Sequence, residues 1–185
     1  PIGGSVYVGY LTTPQALGHD VDNSRVNITG NLNLAGKVAV NVYRDNLYAN
    51  GDGYTLFTYT GTGAVTATAT PSLTSPYVGF SLVHDAATRQ VRLEVKRSSY
   101  ASGAMNPNAK AAAAGLDSAL ASAVTRIRTD AAGGNGFSSV TELGYAQDIG
   151  NVATALDFRL SAAQAAALFE ELSSGEIYGS LATVN

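Results

Sequence analysis

The chain has 185 residues, a formal net charge of −3 and no cysteine. This excludes disulfides, thiolate metal sites and cysteine nucleophiles. Charge is too sparse to form a basic stripe that neutralises phosphates, so nucleic acid is not an expected partner, and no apolar run reaches the ~20 residues of a membrane-spanning helix.

A chain of this length buries roughly 70% of the surface its unfolded form exposes and needs no covalent staple. It starts at Pro1 without a recognisable signal peptide, which reads as a processed or excised piece of a longer protein. The first chemical cluster is Gly18-His19-Asp20-Val21-Asp22-Asn23, with one imidazole and two carboxylates. Such oxygens suit a hard cation, but the EF-hand spacing is missing and the segment reads as an exposed turn.

β patterning dominates up to about Ser98. Val26, Ile28, Leu32 and Leu34 alternate with polar residues and are expected on one face. Gly36 interrupts the run, and Lys37 to Tyr43 resumes it. Asn50-Gly51-Asp52-Gly53 is turn chemistry. The strand Tyr54-Thr55-Leu56-Phe57-Thr58-Tyr59 follows and ends at Gly61, with Tyr54, Leu56, Phe57 and Tyr59 as expected core. Ala64 to Thr70 alternates small apolar residues with threonine. Tyr77 to His84 and Arg89 to Arg97 read as a hairpin turning at Asp85-Ala86-Ala87-Thr88, with Val91, Leu93 and Val95 inward. No tight internal repeat is visible. Pattern alone leaves a β-solenoid and a β-sandwich open.

From Asn106 the pattern is helical. Asn106 is placed to cap and Pro107 to open the first turn. Leu116, Leu120, Val124 and Ile127 follow at helical spacing, and Ala132 to Gly136 ends the run. A second helix within Ser138 to Leu156 is expected to be broken at Gly144 and Gly150, with Val140, Leu143, Val152 and Leu156 inward. Ser161 and Gln164 form a capping box for a third helix with an apolar stripe of Leu168, Phe169 and Leu172 and a stop at Gly175.

Catalytic signatures are missing. There is no Gly-x-Ser-x-Gly elbow, and Gly133 to Gly136 lacks the lysine of a phosphate loop. His84-Asp85 are strand neighbours pointing to opposite faces, and Glu170-Glu171 diverge by about 100° on a helix. No catalytic, cofactor-binding or metal-ligating residue is assigned, and the chain is not expected to be an enzyme.

Three motifs occur in a fixed order: Gly51-Asp52-Gly53-Tyr54-Thr55-Leu56-Phe57-Thr58-Tyr59-Thr60-Gly61, then Asn108-Ala109-Lys110-Ala111-Ala112-Ala113-Ala114-Gly115-Leu116-Asp117 with its echo Asn151 to Asp157, then Leu172-Ser173-Ser174-Gly175-Glu176-Ile177-Tyr178-Gly179-Ser180-Leu181. From Leu32 to Leu181 this order resembles the end of an autotransporter passenger, the exported part of a bacterial type V secretion protein. The resemblance implies a right-handed β-helix end with a hairpin-like cap over residues 1–100. An Ala-rich helical junction over 101–185 would lead towards an outer-membrane β-barrel. It further implies a structural role as a stable folding template for the upstream passenger. Its partners would be that passenger and the downstream barrel, at the surface of a Gram-negative bacterium or secreted from it. Gly53, Tyr54, Leu56, Phe57, Tyr59 and Gly61 would form the cap motif, and Leu172, Gly175, Glu176, Ile177 and Tyr178 the junction motif. Gly179 stands where the family commonly has alanine, and no Asn-Asn cleavage segment is present, so self-release is not implied.

Two other readings compete. An adhesin or glycan-binding module, with a host surface or matrix as its partner, would use exposed tyrosines such as Tyr7, Tyr10, Tyr43 and Tyr48. A pectate-lyase-like enzyme would need carboxylates clustered with arginine or lysine. An open pocket lined by ionisable groups, or helices threaded between parallel strands, would overturn the structural reading.

Overall fold

A computed structural model describes residues 5–7, 25–44, 46–103, 106–131, 134 and 136–173. The N-terminal part contains β1 (Ser5–Tyr7), β2 (Val26–Ile28), β3 (Leu32–Leu34), β4 (Lys37–Asn41), β5 (Gly53–Tyr59), β6 (Gly63–Val65), β7 (Thr68–Pro71), β8 (Val78–Asp85) and β9 (Gln90–Arg97). A 3₁₀ turn at Tyr100–Ser102 leads to α1 (Pro107–Ala131), α2 (Val140–Phe158) and α3 (Ala162–Ser173).

The strands form three sheets, ordered β1-β4-β7, β2-β5-β9-β8 and β3-β6. Pairings between β1 and β4, β4 and β7, β2 and β5, and β3 and β6 are all parallel. This is unlike the antiparallel sheets of a sandwich. Val26 lies opposite Phe57, Leu32 opposite Gly63 and Lys37 opposite Thr68, each 31 positions apart. Side chains repeat the same offset. Asn27 Oδ1 accepts from Thr58 Oγ1 at 2.6 Å, Asn31 Oδ1 from the Thr62 amide at 2.8 Å, and Asn41 Oδ1 from Ser72 Oγ at 3.1 Å.

The expected single face of Val26, Ile28, Leu32 and Leu34 is corrected by two corners. Gly30 (φ 117°) and Gly36 (φ 83°) take a left-handed backbone open mainly to glycine. They turn the chain so that β2, β3 and β4 enter different sheets. Leu32 and Leu34 are buried, whereas Val26 is exposed.

β8 and β9 form the expected hairpin, and β9 runs antiparallel along β5. Asp85 Oδ1 accepts from the amides of Ala87 (2.9 Å) and Thr88 (3.2 Å) at the turn. Val91, Leu93 and Val95 are fully buried, joining Leu32, Val38, Val40, Tyr54, Leu56 and Phe57 in one core.

The helices build a second core in which alanines such as Ala109, Ala113, Ala153 and Ala165 alternate with Leu120, Val124, Ile127, Leu156 and Phe169, closed by Leu47, Tyr77 and Tyr100 from outside the helices. The Asn106 cap forms, its Oδ1 accepting from the Ala109 amide at 2.8 Å. The Ser161–Gln164 box also forms. α2 is continuous, which corrects the expected break. No side chain at Gly144 would meet an obstacle, and Gly150 lies against Leu47, so both glycines are carried within one helix. Two inward assignments on α2 are also corrected: Val140 is 87% exposed and Val152 is exposed, while Ala146, Ala153 and Leu156 face the core. On α3, Phe169 is buried but Leu172 is exposed. Gly175, Glu176, Ile177 and Tyr178 lie outside the described residues, as do His19, Asp20, Asp22 and Tyr10.

Candidate functional site

The core of the four-stranded sheet is built around β5. Tyr54, Thr55, Leu56 and Phe57 are buried in succession, which simple strand alternation forbids. A bulge explains it: Thr55 pairs with Arg92 and Phe57 with Val91, leaving Leu56 as the extra residue. Tyr59 is buried too, and its hydroxyl lies 2.8 Å from His84 Nε2 on β8. His84 is thereby a structural partner of the hairpin. A side chain at Gly63 would collide with the Tyr59 ring, and one at Gly61 would collide with Asn31 and the Gly30 backbone. Both glycines are required by close approach between chain segments. At Gly53 the obstacle is only the tip of Arg92.

Tyr48 is the hub, which corrects its expected exposure. It is completely buried and meets Tyr54, Phe80 and Phe158 edge-on at centroid distances of 6.4, 5.1 and 5.8 Å. Its hydroxyl accepts from the Tyr43 amide at 3.2 Å. Burial pushes the phenols of Tyr48 and Tyr54 up, so both are neutral. Tyr43 is half-buried.

Polar anchors join the two halves. Arg97, the last residue of β9, makes a bidentate pair with Asp157 of α2 at 2.7 and 2.8 Å. The same guanidinium donates to the Tyr48 carbonyl at 3.1 Å and contacts the Tyr100 hydroxyl. The Tyr100 hydroxyl in turn donates to Asp157 Oδ1 at 3.0 Å. Asp157 has no exposed side-chain surface. Burial raises its pKa, opposed by Arg97 and Tyr100. Burial alone would lower the Arg97 pKa, but Asp157 more than compensates and holds the guanidinium charged.

Asp117 of α1 accepts from the Tyr100 amide at 3.1–3.2 Å and from Ser99 Oγ at 2.5 Å. The two Leu-Asp segments noticed as echoes in the sequence therefore converge on one tyrosine, Asp117 on its backbone and Asp157 on its hydroxyl. A second ion pair joins Arg128 of α1 to Asp52, whose other oxygen accepts from the Ala49 amide at 2.8 Å.

Between the end of β9 and α1 runs a groove of about 620 Å³, lined in part by Asn50, Arg97, Ser99, Asp117, Val124 and Arg128. This is the feature that weighs against a purely structural role. Its ionisable groups are engaged inside the fold, however: Arg97 with Asp157, Arg128 with Asp52, and Asp117 with Ser99 and Tyr100. Among the described residues no cluster of three or more His, Asp or Glu side chains could hold a metal, and no helix is long and apolar enough to cross a membrane.

Comparison with protein-family models, curated proteins and solved structures finds no match. Of the residues expected in the cap motif, Tyr54, Leu56, Phe57 and Tyr59 are buried in the β core, Gly53 opens β5 and Gly61 lies just beyond its end. Of the junction residues, Leu172 is exposed and the others fall outside the described residues. Sequence reasoning missed Tyr48, Arg97, Tyr100 and Asp157. The one available signal was the repeated Leu-Asp at Leu116-Asp117 and Leu156-Asp157.

Proposed function

We propose that this chain is a non-enzymatic folding platform: the C-terminal end of an autotransporter passenger, with β2–β4 and β5–β7 as successive turns of a right-handed β-helix closed by the β8–β9 hairpin. The observation that carries this reading is the constant 31-residue parallel offset, ended by an antiparallel strand along β5. A solenoid turn cannot bury its faces alone, so its growth needs a folded, sealed neighbour. The arrangement suits that task. β9 occupies one edge of β5, while on the opposite side β1 already stacks on β4 in parallel. Upstream turns of the same passenger would add on the β1 side. The helices would then lead towards an outer-membrane barrel, with the passenger displayed at the cell surface.

The test is export of the full-length protein that contains this chain. Tyr54→Ala and Phe57→Ala are expected to reduce the protease-accessible passenger at the cell surface while barrel insertion is unchanged. Normal display from variants whose caps are shown to be destabilised would overturn the proposal.

A further inference from the structure

We infer that the helical half is a conditional latch, docking only onto a completed β5–β9 ladder. The inference concerns this chain alone and does not rest on the autotransporter reading. Its basis is where the anchors come from. Asp52 and Arg97 lie at the same end of that ladder, where the Gly51 amide donates to the Val95 carbonyl at 3.0 Å and the Val95 amide to the Asp52 carbonyl at 2.8 Å. The Arg97 amide donates to Asn50 Oδ1 at 3.0 Å, which fixes the root of the guanidinium. The Tyr48 carbonyl that receives this guanidinium leads into the same turn. With β9 away from β5, Asp52 and Arg97 are no longer held side by side. The helices then have no paired site for Arg128 and Asp157.

The penalty for docking too early is built into α2. Its last turn carries Asp157 into a fully buried position and Phe158 into the β core beside Tyr48. A buried carboxylate without its partner is strongly unfavourable, so the apolar contact of Phe158 is available only once Arg97 is in place. An order of assembly follows: the helices need the cap before they dock, whereas the hydrogen bonds of the cap's ladder are made within the β half, and docking in turn stabilises that ladder.

Hydrogen exchange of the full chain, resolved by element, tests this. Asp157→Asn is expected to speed exchange across α1–α3 by about a hundredfold or more, since it breaks a buried pair, with β5 and β9 remaining the slowest elements to exchange. Leu93→Ala, which weakens β9 without touching an anchor, is expected to speed exchange in β5 and β9 while leaving helix exchange within about threefold, because the helices open from an intact ladder. If Leu93→Ala does not fold, exchange of the unaltered chain across a urea series gives the same order, with the helices opening first and β5 and β9 last. Helices that stay protected while β5 and β9 open would overturn the latch. So would a Leu93→Ala variant whose helices speed by the same factor as β5 and β9, or an Asp157→Asn variant that leaves helix exchange unchanged.

Discussion

The β half and the helical half solve the burial problem by opposite means. In the β half, large side chains such as Tyr54, Phe57, Val91 and Leu93 are locked by a hydrogen-bonded register. In the helical half, helix propensity is high but alanine supplies much of the core, and position is set by a few charged contacts, chiefly Arg97–Asp157 and Arg128–Asp52. The difference teaches that good helix formers fix local structure cheaply and leave docking underdetermined. Specific polar pairs from the β half supply what is missing.

The comparison breaks most visibly in the β core. Tyr54→Ala or Phe57→Ala should cost about 3–5 kcal/mol in a urea melt, the range for emptying an aromatic core site. A loss under about 1 kcal/mol would contradict the core assignment. The helical core should fail by overfilling instead. Ala153 is fully buried and its carbonyl lies 3.3 Å from the Tyr100 hydroxyl. Ala153→Leu should cost about 1–3 kcal/mol by the same melt, whereas an unchanged midpoint would show a looser helical core. Removing the α1 cap with Asn106→Ala should cost about 0.5–2 kcal/mol, and faster exchange at the Ala109 amide would localise that loss.

Acid sharpens the comparison further. Hydrogen bonds from Thr88 hold the Asp85 carboxyl below its usual range, and hydrogen bonds from Ser138, aided by Arg126, do the same for Glu142. The unfolded chain therefore takes up these protons first as pH falls. Their contribution is complete above the ordinary carboxylate pKa of about 4 and disappears as pH drops through the folded-state values. Asp157, whose pKa burial raises, works in the opposite direction. Urea midpoints from pH 6 to pH 3 should therefore fall less steeply for Glu142→Gln and Asp85→Asn than for the parent chain, and identical slopes would refute the assignment. The smallest effect belongs to exposed Leu172, where Leu172→Ala should stay within about 0.5 kcal/mol.

Local signals were legible wherever local chemistry decides the outcome. The Asn106 cap, the Ser161–Gln164 box, the Asp85 turn and the inward row Val91, Leu93 and Val95 could all be read directly. Faces set by distant partners could not. Val140 and Val152 resemble core residues by hydropathy, yet the side of α2 that meets the β half is chosen by Asp157 and Phe158. Tyr48 sits in no alternating run, so nothing nearby announced that three aromatic rings would close around it. The stacking period was hidden because residues 25–42 and 56–73, which lie over one another, are identical only at Thr29/Thr60 and Gly30/Gly61. Backbone register and short polar side chains carry the repeat.

The 31-residue stride makes the β half forgiving of substitution and intolerant of altered length. A deletion inside a strand moves every following side chain to the opposite face and takes Asn27, Asn31 and Asn41 out of reach of their mates one layer below. Natural variants of such a chain should therefore keep the spacing between layers fixed while nearly every letter drifts, and should confine insertions to the corners.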